Sequence, residues 1–330
     1  EITKVLDHKS QIVQIFTTLI YAIRETVASK WAKKVILGLS GGIDSGVVAA
    51  LLTIALGKEN VIAINMPSKF NSKTTKNLAQ TLAQNLGIEY KIFPIQKAVN
   101  LKVKQMTQVT GKVPQEFEIE NIQARERGQI LSDLAATYGA LFTNNGNKDE
   151  VTTGYATLYG DVSGAFSPLW DLYKTQVYDL ARFINQYLWA EIIPNLMIDL
   201  KPAAELSNKQ NPENWGWDPF DYEFLVKLNR GFIERKMTPV DILTSYQEGT
   251  LEKKLWLEKK ISEIFKTKEL FIQEIEKIWT LFHKSYFKRI QAPGIITISK
   301  GSYGFDFRES ELSAYFGEKY DELKSKILAK

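Results

Sequence analysis

A glycine-bearing loop between an apolar strand and a helix, at residues 35–48, is the feature that most constrains what this chain can fold into. Gly41 and Gly42 let a ligand approach the backbone closely, and the free amides at the start of the helix face an anion with the helix dipole behind them. Asp44 adds a carboxylate that packing does not require and that could ligate a metal. The loop matches neither G-x-x-x-x-G-K-[ST] nor G-x-G-x-x-G. It predicts a cradle for the pyrophosphate of ATP, with an ordinary strand-to-helix turn as the alternative.

The first half of the chain alternates buried strands with amphipathic helices. The pattern predicts strands at 34–39, 61–66, 88–93 and 140–143, and helices at 10–29, 44–56, 73–86 and 118–138. Such alternation favours an α/β fold, a parallel, doubly wound sheet whose ligand crevice lies at the carboxyl ends of the strands. The cradle lies at one of those ends.

The chain changes character after about residue 190. Four prolines mark an irregular connection across 194–220, namely Pro194, Pro202, Pro212 and Pro219. Beyond it, segments 221–236, 252–266 and 268–288 are charged on one face and apolar on the other, which predicts helices that pack back on the sheet. We therefore divide the chain into an α/β core at 1–193 and a helical C-terminal region at 194–330.

Composition excludes several functional classes. Lys and Arg outnumber Asp and Glu by 42 to 38, and a net charge of +4 is too small to indicate a nucleic-acid partner. With no Cys, the chain has neither a disulfide nor a thiolate nucleophile. No apolar run reaches the roughly 18 residues of a membrane span, and the charged start is unlike a signal peptide. We expect a cytoplasmic protein, and the absence of an initial Met suggests a trimmed or processed chain.

Three further segments carry polar side chains suited to a nucleotide site. Asn121 and Arg125 lie one helical turn apart, where an amide and a guanidinium could hold a base and a phosphate, although a solvated helix face is the alternative. Glu150 and Asp161 are a second source of carboxylates near the crevice. Lys174 stands just before the next predicted helix.

Together these segments closely resemble the NAD synthases, which are N-type ATP pyrophosphatases. The family's motifs are matched by SGGIDS at 40–45, NIQAR at 121–125, NGNKDE at 145–150, YGD at 159–161, DLYK at 171–174 and KRIQAP at 288–293. The resemblance covers roughly residues 10–310. It implies an adenine nucleotide alpha-hydrolase-like fold and a homodimer.

The resemblance also implies roles for particular residues. ATP would be bound by Gly38, Ser40, Gly41, Gly42, Asp44, Ser45, Asn145 and Lys174. Asp44 and Glu150 would hold the Mg²⁺ cofactor, and Asp44 and Lys174 would be the catalytic residues. Deamido-NAD would be bound by Asn121, Arg125, Tyr155, Leu158, Asp161 and Lys288.

The implied reaction converts the nicotinate carboxylate of deamido-NAD into the amide of NAD⁺. Because ammonia cannot attack an unactivated carboxylate, the carboxylate first takes AMP from ATP with release of pyrophosphate, and ammonia then displaces AMP. Both steps place negative charge on oxygens, so a metal, a cationic Lys and oriented amides should suffice.

The chain departs from the family pattern at two positions near the expected ATP. Asn145 replaces the usual Thr or Ser, and Ala203 replaces a Ser. Asn can still donate and accept, whereas Ala203 loses a hydrogen bond worth about 0.5–1.5 kcal/mol. We expect activity to survive both changes.

The motifs look like the synthetase half of glutamine-dependent NAD synthases without the glutaminase half. Because the chain has no Cys, it lacks the nucleophile for glutamine hydrolysis by that route. We therefore expect ammonia as donor, with a separate or deleted glutaminase as the alternative. Two other functions remain open: another N-type ligase, disfavoured because Cys and a basic RNA-binding patch are missing, and a catalytically silent nucleotide-binding regulator.

Overall fold

The computed structural model describes residues 2–207, 220–291, 293–299, 301–303 and 314–329, with the backbone alone described for 2–10. The predicted irregular connection at 194–220 therefore lies partly outside the described residues, together with Pro212 and Pro219. Within its described part, 194–207, only one short helix interrupts the irregular chain.

A four-stranded parallel sheet forms the centre of the first half of the chain. Its strands are β1 (Lys34–Gly38), β2 (Val61–Asn65), β3 (Glu89–Ile92) and β4 (Ala140–Phe142), in the order β3-β2-β1-β4. This order places β1, and with it the loop that follows, in the middle of the sheet. The prediction of a parallel α/β fold is confirmed.

Helices cover both faces of the sheet, which is the doubly wound arrangement. Side chains alternate along β1, so Val35 and Leu37 enter one apolar core while Ile36 enters the other. The first core is shared with α1 (Ile2–Ser29), α2 (Ile43–Leu56), α3 (Lys73–Leu86) and α7 (Lys174–Tyr187), and the second with α4 (Gln96–Thr110) and α5 (Glu116–Tyr138).

The second half of the chain is mainly helical and has its own core. Phe224 and Phe271 are fully buried there, and Phe232 packs edge-on against Trp279 at 4.9 Å between ring centroids. The helices are α8 (Asn195–Asp199), α9 (Tyr222–Glu234), α10 (Pro239–Gln247), α11 (Leu251–Leu255), α12 (Ile261–Ile264), α13 (Lys268–Lys284), α14 (Tyr286–Arg289) and α15 (Glu318–Leu328).

This helical region packs against the elements that carry the site. Helix α13 contacts α6 (Lys148–Thr153), and α9 contacts both α6 and α7. A small parallel sheet joins β5 (Phe166–Ser167) to β6 (Gly294–Ile295), so the late chain is also bonded to the α/β core. None of the helices in the described ranges is long and apolar enough to cross a membrane.

The structure corrects the predicted helices in several places. The predicted helix at 252–266 is two short helices, because Trp256 takes a left-handed backbone conformation (φ 53°) that ends α11. The predicted helix at 268–288 is likewise divided at Ser285. Helices α4, α6, α8, α10 and α15 were not predicted.

Candidate active site

A cavity of about 320 Å³ opens at the carboxyl ends of β1, β2 and β4. The phosphate loop at 38–45 forms its floor, and α5, the loop at 160–163 and the segment 200–206 form its walls. Lys288 reaches it from the helical region. The cavity therefore lies at the strand ends, where the sequence predicts a ligand crevice.

The loop at the end of β1 is cross-linked by hydrogen bonds to its own hydroxyl groups. Gly42 N donates to Ser40 Oγ at 3.2 Å, and Ser45 Oγ donates to Gly42 O at 3.0 Å. Gly41 has a φ of 94°, and a Cβ there would lie 2.0 Å from the carbonyl oxygen of Thr75. Only glycine fits this position, which explains the first of the two glycines before α2.

Three charged side chains meet beside this loop. Lys174 Nζ forms an ion pair with Asp44 Oδ2 and lies 3.8 Å from Glu150 Oε1. Asn147 Nδ2 donates to the other Asp44 oxygen at 3.0 Å. Burial alone would lower the pKa of Lys174, but the two carboxylates outweigh it and raise that pKa. Lys174 is therefore a fixed cation across the physiological pH range.

Helix α6, which carries Glu150, is bonded to the start of α7, which carries Lys174. Lys148 and Asp171 form a fully buried ion pair at 2.8 Å. Asp149 accepts from Lys174 N and from Asn229 Nδ2, each at 2.8 Å. Burial raises the pKa of Asp149 to about 6, and the two hydrogen bonds offset part of that effect. These bonds fix the relative positions of the charged groups.

Asn145 faces the end of β1. Its Nδ2 donates to Gly38 O at 2.9 Å, and its Oδ1 accepts from Thr143 Oγ1 at 2.8 Å. Asn145 therefore ties the loop after β4 to the start of the phosphate loop. Ala203 lies in the segment 200–206 and also lines the cavity. The two departures from the family pattern thus stand on the wall of the same cavity.

The residues expected to bind deamido-NAD divide into two groups. Tyr155, Asp161 and Lys288 line the cavity. Lys288 Nζ donates to Gly154 O at 2.7 Å and Ala156 O at 2.6 Å, and burial lowers the pKa of its ammonium group. Burial raises the pKa of Asp161.

The second group lies outside the residues that line the cavity. Asn121 Oδ1 accepts from Thr157 Oγ1 at 2.8 Å, and Arg125 Nε donates to Leu158 O at 3.2 Å. Asn121, Arg125 and Leu158 are not among the described residues that line the cavity. Their contacts support the loop at 155–158, and a direct role in binding stays a prediction.

Sequence reasoning missed one polar cluster on the cavity wall. Arg127 Nε donates to Met66 O at 3.1 Å, and its Nη2 donates to Asn71 Oδ1 at 3.2 Å. Glu205 Oε2 accepts from Asn71 Nδ2 at 3.1 Å and from Thr75 Oγ1 at 2.8 Å. The position of Arg127, two residues after the NIQAR motif, was the available signal.

The sheet and the phosphate loop define a nucleotide-binding α/β protein, with the adenine nucleotide alpha-hydrolase-like fold of its solved neighbours. A sequence model of the NAD synthase family matches residues 15–255, and the chain belongs to that family. The resemblance inferred from the motifs is thereby confirmed. The homologues are ligases that make NAD⁺ with C–N bond formation, and the family uses ATP as co-substrate.

Individual relatives show how much of the family's length this chain spans. The glutamine-dependent NAD(+) synthetase of Thermotoga maritima is 37% identical over 296 residues, which are 89% of this chain and 47% of that protein. The chain spans about half the length of the curated relatives that it matches first.

Two solved structures represent both kinds of nitrogen donor. The glutamine-dependent enzyme of Acinetobacter baumannii, in complex with ADP, has a TM-score of 0.56 at 29% identity over 92% of this chain and 50% of its own. The NH3-dependent NAD synthetase of Campylobacter jejuni has a TM-score of 0.56 at 28% identity over 84% of this chain and 96% of its own.

Proposed function

We propose that the chain converts deamido-NAD to NAD⁺ with ATP and ammonia, through an adenylated intermediate. The observation that carries this proposal is the meeting of Asp44, Glu150 and Lys174 beside the phosphate loop, inside a cavity that extends to Lys288. One cavity thus joins a phosphate cradle to residues expected to contact the second substrate. Membership of the NAD synthase family supports the choice of reaction.

In the first step an oxygen of the nicotinate carboxylate attacks the α-phosphorus of ATP. A C–O–P linkage forms, the bond between the α- and β-phosphates breaks, and pyrophosphate leaves. The amides at the start of α2 and the Lys174 ammonium neutralise the charge on the departing phosphates. Because Lys174 is held by Asp44, it is already oriented before the substrate arrives.

In the second step the nitrogen of ammonia attacks the acyl carbon. The C–N bond forms, the C–O bond to AMP breaks, and the nitrogen releases the proton it no longer needs to water or to a nearby base. No covalent enzyme intermediate is needed, which agrees with a sequence that has no Cys.

Asp44 and Glu150 are the residues that would hold Mg²⁺. Mg²⁺ uses one or two carboxylates together with substrate phosphates and water, and these two carboxylates already approach a common cation, the Lys174 ammonium. In the part of the chain that the structure describes, no group of three or more His, Cys, Asp or Glu forms a metal site. Two carboxylates beside a phosphate loop therefore fit a metal that arrives with ATP. When bound, Mg²⁺ supplies charge neutralisation on the phosphates.

The nitrogen donor is the part of the proposal for which the relatives differ. A second candidate is the synthetase part of a glutamine-dependent enzyme that receives ammonia from a glutaminase on another chain or segment. It is favoured by the curated relatives, which are about twice as long as this chain and carry glutamine in their names. In both cases ammonia reacts at the site described here, and a homodimer is the expected assembly.

Purified protein given deamido-NAD, ATP and Mg²⁺ with ammonium tests the proposal. NAD⁺, AMP and pyrophosphate should form in equal amounts. A protein that binds ATP but yields none of these products would be a nucleotide-binding regulator, and the proposed reaction would be wrong.

A further inference from the structure

A chain of hydrogen bonds joins four polar side chains on the wall of the cavity. It runs from Arg127 through Asn71 to Glu205 Oε2, which also accepts from Thr75 Oγ1. The guanidinium of Arg127 is also held by the bond that its Nε donates to Met66 O. Three separate elements, α5, the start of α3 and the segment 200–206, are thereby connected around the same space.

Glu205 carries a carboxylate oxygen that lacks a partner. The residue is 4% exposed and lines the cavity, and Oε1 is buried without a hydrogen-bond donor among the described residues. Glu205 also has a φ of 51°, which a non-glycine residue rarely adopts. A buried carboxylate oxygen without a donor costs free energy unless a ligand supplies the donor.

The surroundings of Glu205 indicate which ligand lies nearby. Thr75, which binds Glu205, places its carbonyl oxygen against Gly41 of the phosphate loop. Met66 and Leu131 also line this cavity, and their methyl groups lie 3.2 and 3.5 Å from where a Cβ on Gly38 would be. A flat base fits an apolar wall of this kind next to a phosphate site.

We propose that Glu205 Oε1 accepts a hydrogen bond from the adenosine part of ATP. Adenosine offers three donors of this kind, the N6 amine and the 2′- and 3′-hydroxyls of the ribose. The inference rests on the proposed ATP site and adds a residue that reads the nucleoside, whereas the loop at 40–45 reads only the phosphates. A carboxylate acceptor also repels a carbonyl oxygen, so it disfavours purines that carry one in place of the amine.

The substitution Glu205→Gln distinguishes the roles of the two oxygens of the side chain. The amide oxygen can keep the bonds from Asn71 and Thr75, while the amide NH₂ replaces the unpartnered Oε1 with a donor. Glu263→Gln is the matched control, because Glu263 is exposed and lies in the helical region. Thermal unfolding of both variants reports whether the fold survives.

The test is calorimetric binding of four nucleotides without the second substrate. These are ATP, purine riboside triphosphate without the amine, 2′-deoxy-ATP and 3′-deoxy-ATP. Wild-type protein should bind one of the three analogues at least about tenfold more weakly than ATP, the usual effect of losing a hydrogen bond to a charged group. Glu205→Gln should shrink that difference to about twofold, and Glu263→Gln should leave it unchanged.

Two results would overturn the inference while leaving the proposed function intact. One is wild-type binding of all three analogues within about twofold of ATP. The other is a Glu205→Gln variant that weakens all four nucleotides by one common factor. Wild-type protein that binds no ATP at all would overturn the proposed function together with this inference.

Discussion

Lys174 shows how a single residue can serve both the folded state and the proposed chemistry. Its ammonium is almost fully buried, which is costly unless opposite charges lie close by. Asp44 and Glu150 supply those charges, and they raise the pKa of Lys174 despite burial. The two carboxylates would attract a metal, and the Lys174 ammonium would attract the phosphates of ATP. Changing one of the three should therefore alter the other two.

Asp44→Asn should lower the rate of NAD⁺ formation by more than about tenfold, because it keeps the shape but removes the charge beside Lys174. Initial rates at saturating ATP over a range of Mg²⁺ concentrations measure this. Asp133→Asn is the matched control, since Asp133 is exposed on α5. A near wild-type rate for Asp44→Asn would show that Asp44 is not a metal ligand.

Lys288→Ala should raise KM for deamido-NAD by at least about fivefold and change KM for ATP little, because Lys288 holds the loop that contains Tyr155 through two carbonyl groups. Separate Michaelis constants for the two substrates measure this. Lys284→Ala, an exposed position at the end of α13, is the control. A larger effect on ATP would move Lys288 to the nucleotide half of the site.

The sequence predicts the central residues of the site better than its wall. Asp44, Glu150 and Lys174 lie in separate motifs, and the structure brings them together. Glu205 and Arg127 were missed because their partners lie far away in the chain: Glu205 binds Thr75 across 130 residues. Periodicity and local motifs carry no information about such pairs.

At the scale of elements, α6, which carries Glu150, links the site to the neighbouring helices. Asp149 on this helix binds both the first residue of α7 and Asn229 of α9. The raised pKa of Asp149 makes this junction sensitive to pH. Because the folded state holds a proton that the unfolded chain has released between about pH 4 and 6, the contribution of Asp149 falls as the pH rises through that window.

Asp149→Asn should therefore change the pH dependence of stability. Relative to wild type, its free energy of unfolding should rise by on the order of 1 kcal/mol per pH unit between about pH 4 and 6 and then level off. Urea denaturation at several pH values measures this slope, with Asp133→Asn as the exposed control. A difference that is independent of pH would contradict the raised pKa.

The helices that the sequence failed to predict have physical reasons for weak signals. In α4 only Val99 is buried, and the apolar face that continues through Val103 and Met106 is short and only partly buried. The end of α11 at Trp256 has no glycine or proline to mark it. For α10, in contrast, the capping box of Thr238 and Asp241 with Pro239 between them was a readable signal.

At the scale of the whole molecule, the late part of the chain holds the helix that carries Glu150. The buried pair of Lys148 and Asp171 is bonded to Ser299, and Arg289 donates to the carbonyls of Val151 and Thr152. The late chain thereby fixes α6, the helix that carries Glu150. The division at residue 193 stays a prediction, and these bonds suggest that the two parts act as one unit.

The prediction about the nitrogen donor depends on the composition of the whole chain, which has no Cys. With ammonium the protein should form NAD⁺, and with glutamine alone almost none, because the sequence has no thiol nucleophile. The rate at fixed total ammonium should rise about tenfold per pH unit below the pKa of ammonium, since neutral ammonia is the nucleophile. Synthesis from glutamine by the pure chain would contradict this, and synthesis only after adding a second protein would identify a glutaminase partner.

Oxygen-18 in the nicotinate carboxylate of deamido-NAD tests the central claim most directly. If the carboxylate attacks the α-phosphorus, one labelled oxygen leaves with AMP and the other stays in the amide of NAD⁺. Mass spectrometry of the products with ATP, Mg²⁺ and ammonium should therefore find one labelled oxygen in AMP. Unlabelled AMP, or label in pyrophosphate or inorganic phosphate, would contradict activation by adenylation.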